Sequence, residues 1–362
     1  MNAKSDESTN PPVKPSEFPK PNSPGDLTPY LRVLLAGKTL SAEQTAAAFE
    51  SIMTGLVHDG EIGALLSMLA MRTPTSDEIL GAARVMRTHV NRLETSIDPS
   101  QLVDTAGTGG APKTFNVSTA AAIIAAAAGA KLAKHGNRSR TGRGSAEVLT
   151  KLGVNVDADR TIQANCLEEI GICFCFAIHH HPAAKYVMPV RMALGFPTIF
   201  NLLGPLTNPA GALRQLMGVY EPRFLKPIAQ TLAELGTLRA MVIHSDDGLD
   251  EISISAPTQA IHVGDGKLTE QTIDPAELGL TIAPRESVIA KDLDHAATMV
   301  QDVITGNDKG PARDMTLLNT AATLLVADKV SSLADGFILA AQTIDSGQAA
   351  KTLKRLAELS NK

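Results

Sequence analysis

The chain has 362 residues, 44% of them hydrophobic, and a formal net charge of −5. That length suggests roughly two domains, and the acidic balance argues against a general nucleic-acid binder, which needs a basic face. No apolar run reaches the roughly 18–20 residues of a membrane span. Three cysteines, Cys166, Cys173 and Cys175, are too few and too clustered for a disulfide scaffold, so buried thiols in a reducing cytoplasm are expected. With 3% aromatics and no Trp, the core must be built from Ala, Leu, Val and Ile, which suits helices packed closely on a parallel sheet.

In chain order, residues 1–25 are rich in Pro, Ser, Asn and Lys and read as a disordered tail. Residues 26–95 read as a small helical domain. Asp26–Pro29 is a start signal and Gly37 a stop. Ser41 with Gln44 fits a capping box, and Thr75 or Ser76 followed by Glu78 opens another helix. From about residue 100 to 362 the texture is α/β. A strand is expected over 102–105, then a helix over 119–128 stopped by Gly129, a strand over 130–134 and a helix over 145–152 ended by Gly153. Residues 157–200 read as mostly helical and are expected to pack back on the N-terminal helices. An amphipathic helix over 224–235 precedes a buried strand over 238–244, and closing helices run from Asn319. Strands alternating with helices imply a mostly parallel sheet flanked by helices. The fold class is therefore α/β, with a small helical N-terminal domain.

The richest stretch is Asp104-Thr-Ala-Gly-Thr-Gly-Gly-Ala-Pro-Lys-Thr-Phe-Asn-Val-Ser-Thr119. Gly107, Gly109 and Gly110 allow backbone angles that a Cβ would forbid. Asn116, Ser118 and Thr119 place short polar side chains at a helix start, where backbone N–H groups lack internal partners. Such a turn collects donors and the positive end of the helix dipole around one small volume, and phosphate suits it best.

A second loop, Lys134-His-Gly-Asn-Arg138 continuing to Ser145, leaves a strand end with Lys134, Arg138, Arg140 and Arg143 close together. A diphosphate would satisfy that charge. A third, Asp246-Asp-Gly-Leu-Asp-Glu251, follows the 238–244 strand; taken alone it reads rather as an acidic surface turn, but beside two phosphate-like loops its carboxylates suit Mg²⁺ bridged to substrate phosphates. Arg191, in a Pro-, Gly- and Asn-rich segment over 190–209, could pair a substrate carboxylate bidentately or form a surface salt bridge. His179, His180 and His181 are sequence neighbours, point in different directions, and do not read as a metal site. The Cys173 and Cys175 pair lies in an apolar run and reads as core.

Five segments stand in one order and spacing: GTGG..KTFNVSTAAA, KHGNR, FCFA..HHPAAK, VR..LG.PTIFNLLGPLTNP and DDGLDE. Together they resemble the anthranilate phosphoribosyltransferase family, from about Leu27 to the C-terminus. The resemblance implies a nucleoside phosphorylase/phosphoribosyltransferase-like fold, a homodimer, and a reaction of tryptophan biosynthesis. In it, anthranilate and phosphoribosyl diphosphate give phosphoribosylanthranilate and pyrophosphate. It implies that Gly107, Thr108, Gly110, Asn116, Ser118, Thr119 and Lys134 bind phosphoribosyl diphosphate, and that Gly107, His135, Asn137 and Arg191 face anthranilate. Ser118, Asp250 and Glu251 would hold Mg²⁺. Two departures stand out. Ala111-Pro112 replaces the family's Asp-Gly, and Thr141-Gly142 replaces its Ser-Ser; Arg140 and Arg143 are expected to supply the lost diphosphate contacts.

Two other readings start from the same residues. Pyrimidine nucleoside phosphorylases are similar in the Gly-rich and Lys-His-Gly pattern, but the Pro-Thr-Ile-Phe-Asn segment favours the transferase. A non-catalytic nucleic-acid-binding relative is disfavoured by the negative charge and the intact acidic stretch.

Overall fold

The computed structural model describes residues 25–112, 114–139 and 142–362; residues 1–24 of the expected tail, with Lys113, Arg140 and Thr141, lie outside the described residues. The chain opens with four helices, Thr28–Leu35, Ala42–Met53, Asp59–Ala70 and Ser76–Thr88. Two of them begin with a reciprocal capping box, where the first N–H groups have no partner inside the helix. The Ser41 hydroxyl accepts from the Gln44 amide at 3.2 Å while Gln44 accepts from the Ser41 amide at 2.9 Å. Thr75 and Glu78 form the same reciprocal pair. Glu78 also accepts from the Leu40 amide and from the Arg72 guanidinium, so one fully buried carboxylate ties three segments together.

Seven strands follow, and they form one sheet. They are β1 (Leu102–Asp104), β2 (Lys131–Gly136), β3 (Ile172–Phe176), β4 (Arg214–Gly218), β5 (Arg239–Ser245), β6 (Thr258–Gly264) and β7 (Lys267–Ile273). The order is β3-β2-β1-β4-β5-β6-β7. The first five are parallel, and β6 and β7 add an antiparallel edge. Both faces are covered. Along β4 and β5, Leu216, Met241 and Ile243 point into one core with the helices Val117–Ala127 and Pro311–Val326. Met217, Ala240 and Val242 point into the other, with the N-terminal helices and the helix Leu225–Glu234. The chain order reverses at the β1–β4 neighbour pair. Open α/β sheets bind ligands outside the strand C-termini at such a switch point.

The 157–200 stretch departs from expectation. It divides, and only its second half joins the N-terminal helices, through Val187, Val190, Ile199 and Phe200. Its first half belongs to the sheet. The helix Arg160–Ile170 packs beside β3, and β3 is the Ile-Cys-Phe-Cys-Phe run, an edge strand buried at every residue. An apolar run buried on both faces has no alternation, so it carries no period by which to distinguish strand from helix. The closing helices over the last fifty residues are Pro311–Val326, Leu333–Asp345 and Gln348–Ser360.

Removing the Glu78 carboxylate should cost stability without touching the sheet. Glu78→Ala strips the cap from the Ser76–Thr88 helix and leaves Arg72 unpaired. We expect a loss of about 3 kcal/mol, the low end for breaking a buried pair, because Arg72 is partly exposed and can rehydrate. Urea unfolding measures it, and a change below about 1 kcal/mol would contradict the cap assignment.

Candidate active site

The strand ends at the switch point present the sequence-predicted loops to one another. β1 ends at Asp104, which is 1% exposed. Its Oδ1 accepts from the Thr105 and Ala106 amides at 2.7 and 3.1 Å and from the His135 amide at 3.0 Å, across on β2. Its Oδ2 accepts from the Asn208 side-chain amide at 2.8 Å. The glycine turn is thereby held to β2 from its first residue. Burial pushes the Asp104 carboxyl up, to about 6, against the hydrogen bond from Asn208 and the nearby charge of Lys134.

Within the turn the glycines do different work. Gly109 and Gly110 have φ of 61° and 100°, where other residues are strained, and Gly110 lies on the Tyr220 ring. Gly107 is needed for closeness instead, since a Cβ there would stand 3.2 Å from an Asp250 carboxylate oxygen. Thr108 is locked to β4. Its amide donates to the Gly218 carbonyl at 2.9 Å and its hydroxyl accepts from the Tyr220 amide at 3.1 Å.

The helix after the turn starts at Val117, not Thr119. Asn116 precedes it in a left-handed conformation and makes no side-chain cap; its amide donates instead to the Arg143 carbonyl at 3.2 Å. Thr119 is fully buried, and its hydroxyl has no hydrogen-bond partner. Lys134 is 3% exposed and donates to the Thr105 and Ser118 hydroxyls at 3.1 and 3.3 Å. Burial lowers the Lys134 ammonium to about 8, against the favourable charges of Asp104 and Glu251.

The acidic loop reaches the same volume from β5. Glu251 accepts from the Thr114 hydroxyl at 2.7 Å and from the Ser118 amide. Burial, and then the neighbouring Asp250, raise its carboxyl to about 8. Two carboxylates beside a hydroxyl make an all-oxygen donor set that a hard divalent cation fits. Among the described residues no group of three His, Cys, Asp or Glu could hold a metal ion. A pair that shares its cation with substrate phosphates is the arrangement Mg²⁺ favours.

The three adjacent histidines diverge. His179 meets Asp157 at 2.8 Å, His180 meets the Asn91 carbonyl and Gln163, and His181 meets His135 at 3.2 Å. The other ring nitrogen of His135, Nδ1, faces the Gly204 carbonyl at 3.1 Å and must donate to it. His135 Nε2 is then the acceptor and His181 Nε2 the donor. Burial holds both rings neutral, with His181 lowered to about 4.

Asn137 is exposed on the loop beyond β2, which Glu147 closes through the Ser139 and Gly144 amides. Arg191 lies on the helix Met188–Leu194 with its guanidinium over the Phe200 ring, 5.3 Å from its centroid. Arg143 departs from expectation, because its guanidinium donates to the Ala290 carbonyl. Arg140 lies outside the described residues.

Three contributors are not singled out by the sequence. A Cβ on Gly218 would stand 1.7 Å from the Asp250 carbonyl oxygen, so that glycine sets how close the acidic loop comes to β4. Asn208 and His181 act through residues distant in the chain. Only the Asn in the Leu-Thr-Asn-Pro segment and the His before Pro182 hint at them. An open cleft of about 510 Å³ adjoins the site through Tyr220, between Met71 and Arg72 of the helical unit and the Phe196–Thr198 segment.

Comparison with known proteins is consistent along the whole described chain. Residues 28–90 match the glycosyl transferase family, helical bundle domain, and residues 99–350 the glycosyl transferase family, a/b domain. The chain is 45% identical over 334 residues to anthranilate phosphoribosyltransferase of Symbiobacterium thermophilum, covering 92% of this chain and 97% of that one. It is 44% identical over 324 residues to the enzyme of the same name from Rhodopirellula baltica, covering 89% and 94%. Among solved structures, anthranilate phosphoribosyltransferase of Thermus thermophilus superposes with a TM-score of 0.85 at 36% identity, over 92% of this chain and 99% of that one. The Saccharomyces cerevisiae enzyme in complex with PRPP and Mg superposes at 0.84 and 25% identity, covering 92% and 98%.

With Glu251 as a ligand, its raised carboxyl would make cation binding pH-dependent with a definite sign. Below about 8 the folded protein holds that proton, and a divalent cation must displace it. Mg²⁺ affinity should therefore rise by about tenfold from pH 6.5 to 7.5, with proton release, and level off above about pH 8.5. Titration calorimetry in two buffers of different ionisation enthalpy measures this. Glu251→Gln should flatten the dependence.

Proposed function

We infer the function from one premise: this chain belongs to the anthranilate phosphoribosyltransferase family. It transfers the phosphoribosyl group of 5-phosphoribosyl 1-diphosphate to the amine of anthranilate, giving N-(5-phosphoribosyl)anthranilate and pyrophosphate in tryptophan biosynthesis, with Mg²⁺ as cofactor. The observation that carries this reading in the chain itself is the convergence of Lys134, Ser118 and Glu251 at the N-terminus of the helix Val117–Ala127.

We assign the diphosphate to Gly107, Thr108 and Gly110 of the glycine turn, with Asn116, Ser118, Thr119 and Lys134. The orphaned Thr119 hydroxyl and the partly satisfied Lys134 ammonium support this. Asp250, Glu251 and the Ser118 hydroxyl would hold Mg²⁺, which when bound neutralises charge growing on the leaving pyrophosphate. Arg143 is left out of the set, since Ala290 engages it. Anthranilate is assigned to the side bounded by Gly107, His135, Asn137 and Arg191, with His181 behind His135.

The bond from ribose carbon 1 to the diphosphate oxygen breaks, and one from carbon 1 to the aryl nitrogen forms. The nitrogen then loses a proton. An aryl amine is neutral at pH 7, so the protein need not supply a strong base. Its residues hold the two substrates in register and keep the leaving diphosphate among fixed donors. His135 and His181, both neutral, add polarity beside the acceptor without adding charge.

We further propose two domains, residues 26–95 and 100–362, closing on each other across the cleft at Tyr220. A homodimer is supported by exposed Leu35, Met188 and Met192 on helices that flank Asp59–Ala70. A cytoplasmic location is supported by three buried free cysteines.

Loss of anthranilate fluorescence in the presence of phosphoribosyl diphosphate and Mg²⁺ tests the activity directly; no turnover would overturn it. Arg191→Ala tests the substrate assignment. A guanidinium takes a planar carboxylate through two parallel bonds. The variant should weaken anthranilate binding by about 1.5–3 kcal/mol and phosphoribosyl diphosphate binding far less. Separate titrations of the two ligands decide it, and an equal loss of both would reduce Arg191 to general support.

A further inference from the structure

Asn208 lies near the end of the long Pro- and Asn-rich segment that holds Arg191, and no substrate assignment uses Asn208. Its side-chain amide donates both hydrogens, to Asp104 Oδ2 at 2.8 Å and to the Ala133 carbonyl at 2.7 Å, while its oxygen accepts from the Ala210 amide at 2.9 Å. The amide orientation is thus forced, because two acceptors and one donor surround it. Asp104 is a buried carboxylate whose four described partners, the Thr105, Ala106 and His135 amides and Asn208, are all neutral. A buried cation, Lys134, stands next to His135 on β2, and the Asp104 charge favours its charged form. Yet the ammonium donates to the Thr105 and Ser118 hydroxyls, toward the helix N-terminus. The two groups share Thr105, whose amide donates to Asp104 at 2.7 Å and whose hydroxyl accepts from Lys134 at 3.1 Å, yet they do not pair. What occupies the second oxygen of Asp104 is Asn208.

We propose that Asn208 is a positioning residue which, by occupying Asp104 Oδ2, keeps that carboxylate from capturing Lys134 and so reserves the lysine for the substrate diphosphate. The device also ties the segment leading out of the helical unit to the strand ends, since His135 Nδ1 meets Gly204 and the Gln215 amide meets Pro205 on the same stretch. The inference rests on the assignment of Lys134 to the diphosphate, and its test separates the two.

The comparison is between the full-length wild type, Asn208→Ala, the double variant Asp104→Asn with Asn208→Ala, and Lys134→Ala, each titrated with phosphoribosyl diphosphate in Mg²⁺ and assayed for the anthranilate KM. Asn208→Ala should lose about 10- to 100-fold in diphosphate affinity, as for one charge-assisted bond, with the anthranilate KM within about twofold. Removing the competing carboxylate in the double variant should restore most of that affinity. A crystal structure of Asn208→Ala should bring Nζ within about 4 Å of Asp104, the ion-pair range. An unchanged affinity in Asn208→Ala would overturn the proposal. So would a double variant as weak as the single one, because simple structural damage is not relieved by a second substitution. Should Asn208→Ala not fold, Asn208→Leu, which keeps the bulk and removes the donors, takes its place in the same comparison, with the same rescue expected and its absence equally decisive. If Lys134→Ala binds like the wild type, the diphosphate assignment fails instead.

Discussion

Asp104 is a carboxylate buried at a strand end with no cation among its described hydrogen-bond partners, and the geometry of the site hangs on how that charge is satisfied. Two amides of its own turn, one from the neighbouring strand and one side-chain amide from a distant segment do so. Those donors, together with the nearby charge of Lys134, oppose the burial that pushes the carboxyl up to about 6. These donors come from three separate parts of the site. The same bonds that stabilise the charge therefore fix the start of the glycine turn, the end of β2 and the exit of the Pro-rich segment relative to each other.

Around that anchor the remaining charges are unbalanced. Lys134 is buried and Glu251 sits beside Asp250, and burial drives each away from its charged form. Neither is fully compensated within the protein. Perturbed groups of this kind concentrate where a ligand completes the balance. A diphosphate with a divalent cation brings charge of both signs to the place where the helix Val117–Ala127 offers its positive end. The two-faced sheet makes such frustration tolerable, since large apolar cores on either side hold the strand ends rigid.

Much of the site is legible in the residues themselves. The glycine turn, the Lys134 loop and the acidic pair announce themselves by residue type, because phosphate and hard cations can be bound only by a few kinds of group. The capping pairs Ser41–Gln44 and Thr75–Glu78 are equally legible, being local. β3 is not, as an edge strand buried on both sides carries no alternation. The short β4 and the β6–β7 hairpin leave too weak a pattern to place. Arg143 goes astray because charge near a loop does not say which way the side chain turns, and here a backbone carbonyl of a distant segment claims it.

The sequence alone determined which chemistry the protein could host and in what order the parts would come, since motif, cap and composition are properties of residues close in the chain. Tertiary structure alone decided which of those parts touch. Gly218 beneath Asp250, His181 against His135 and Asn208 on Asp104 join positions that nothing local relates. A hydrogen bond or a close approach between distant segments is set by strand order and register, and those are fixed only when both faces of the sheet are packed.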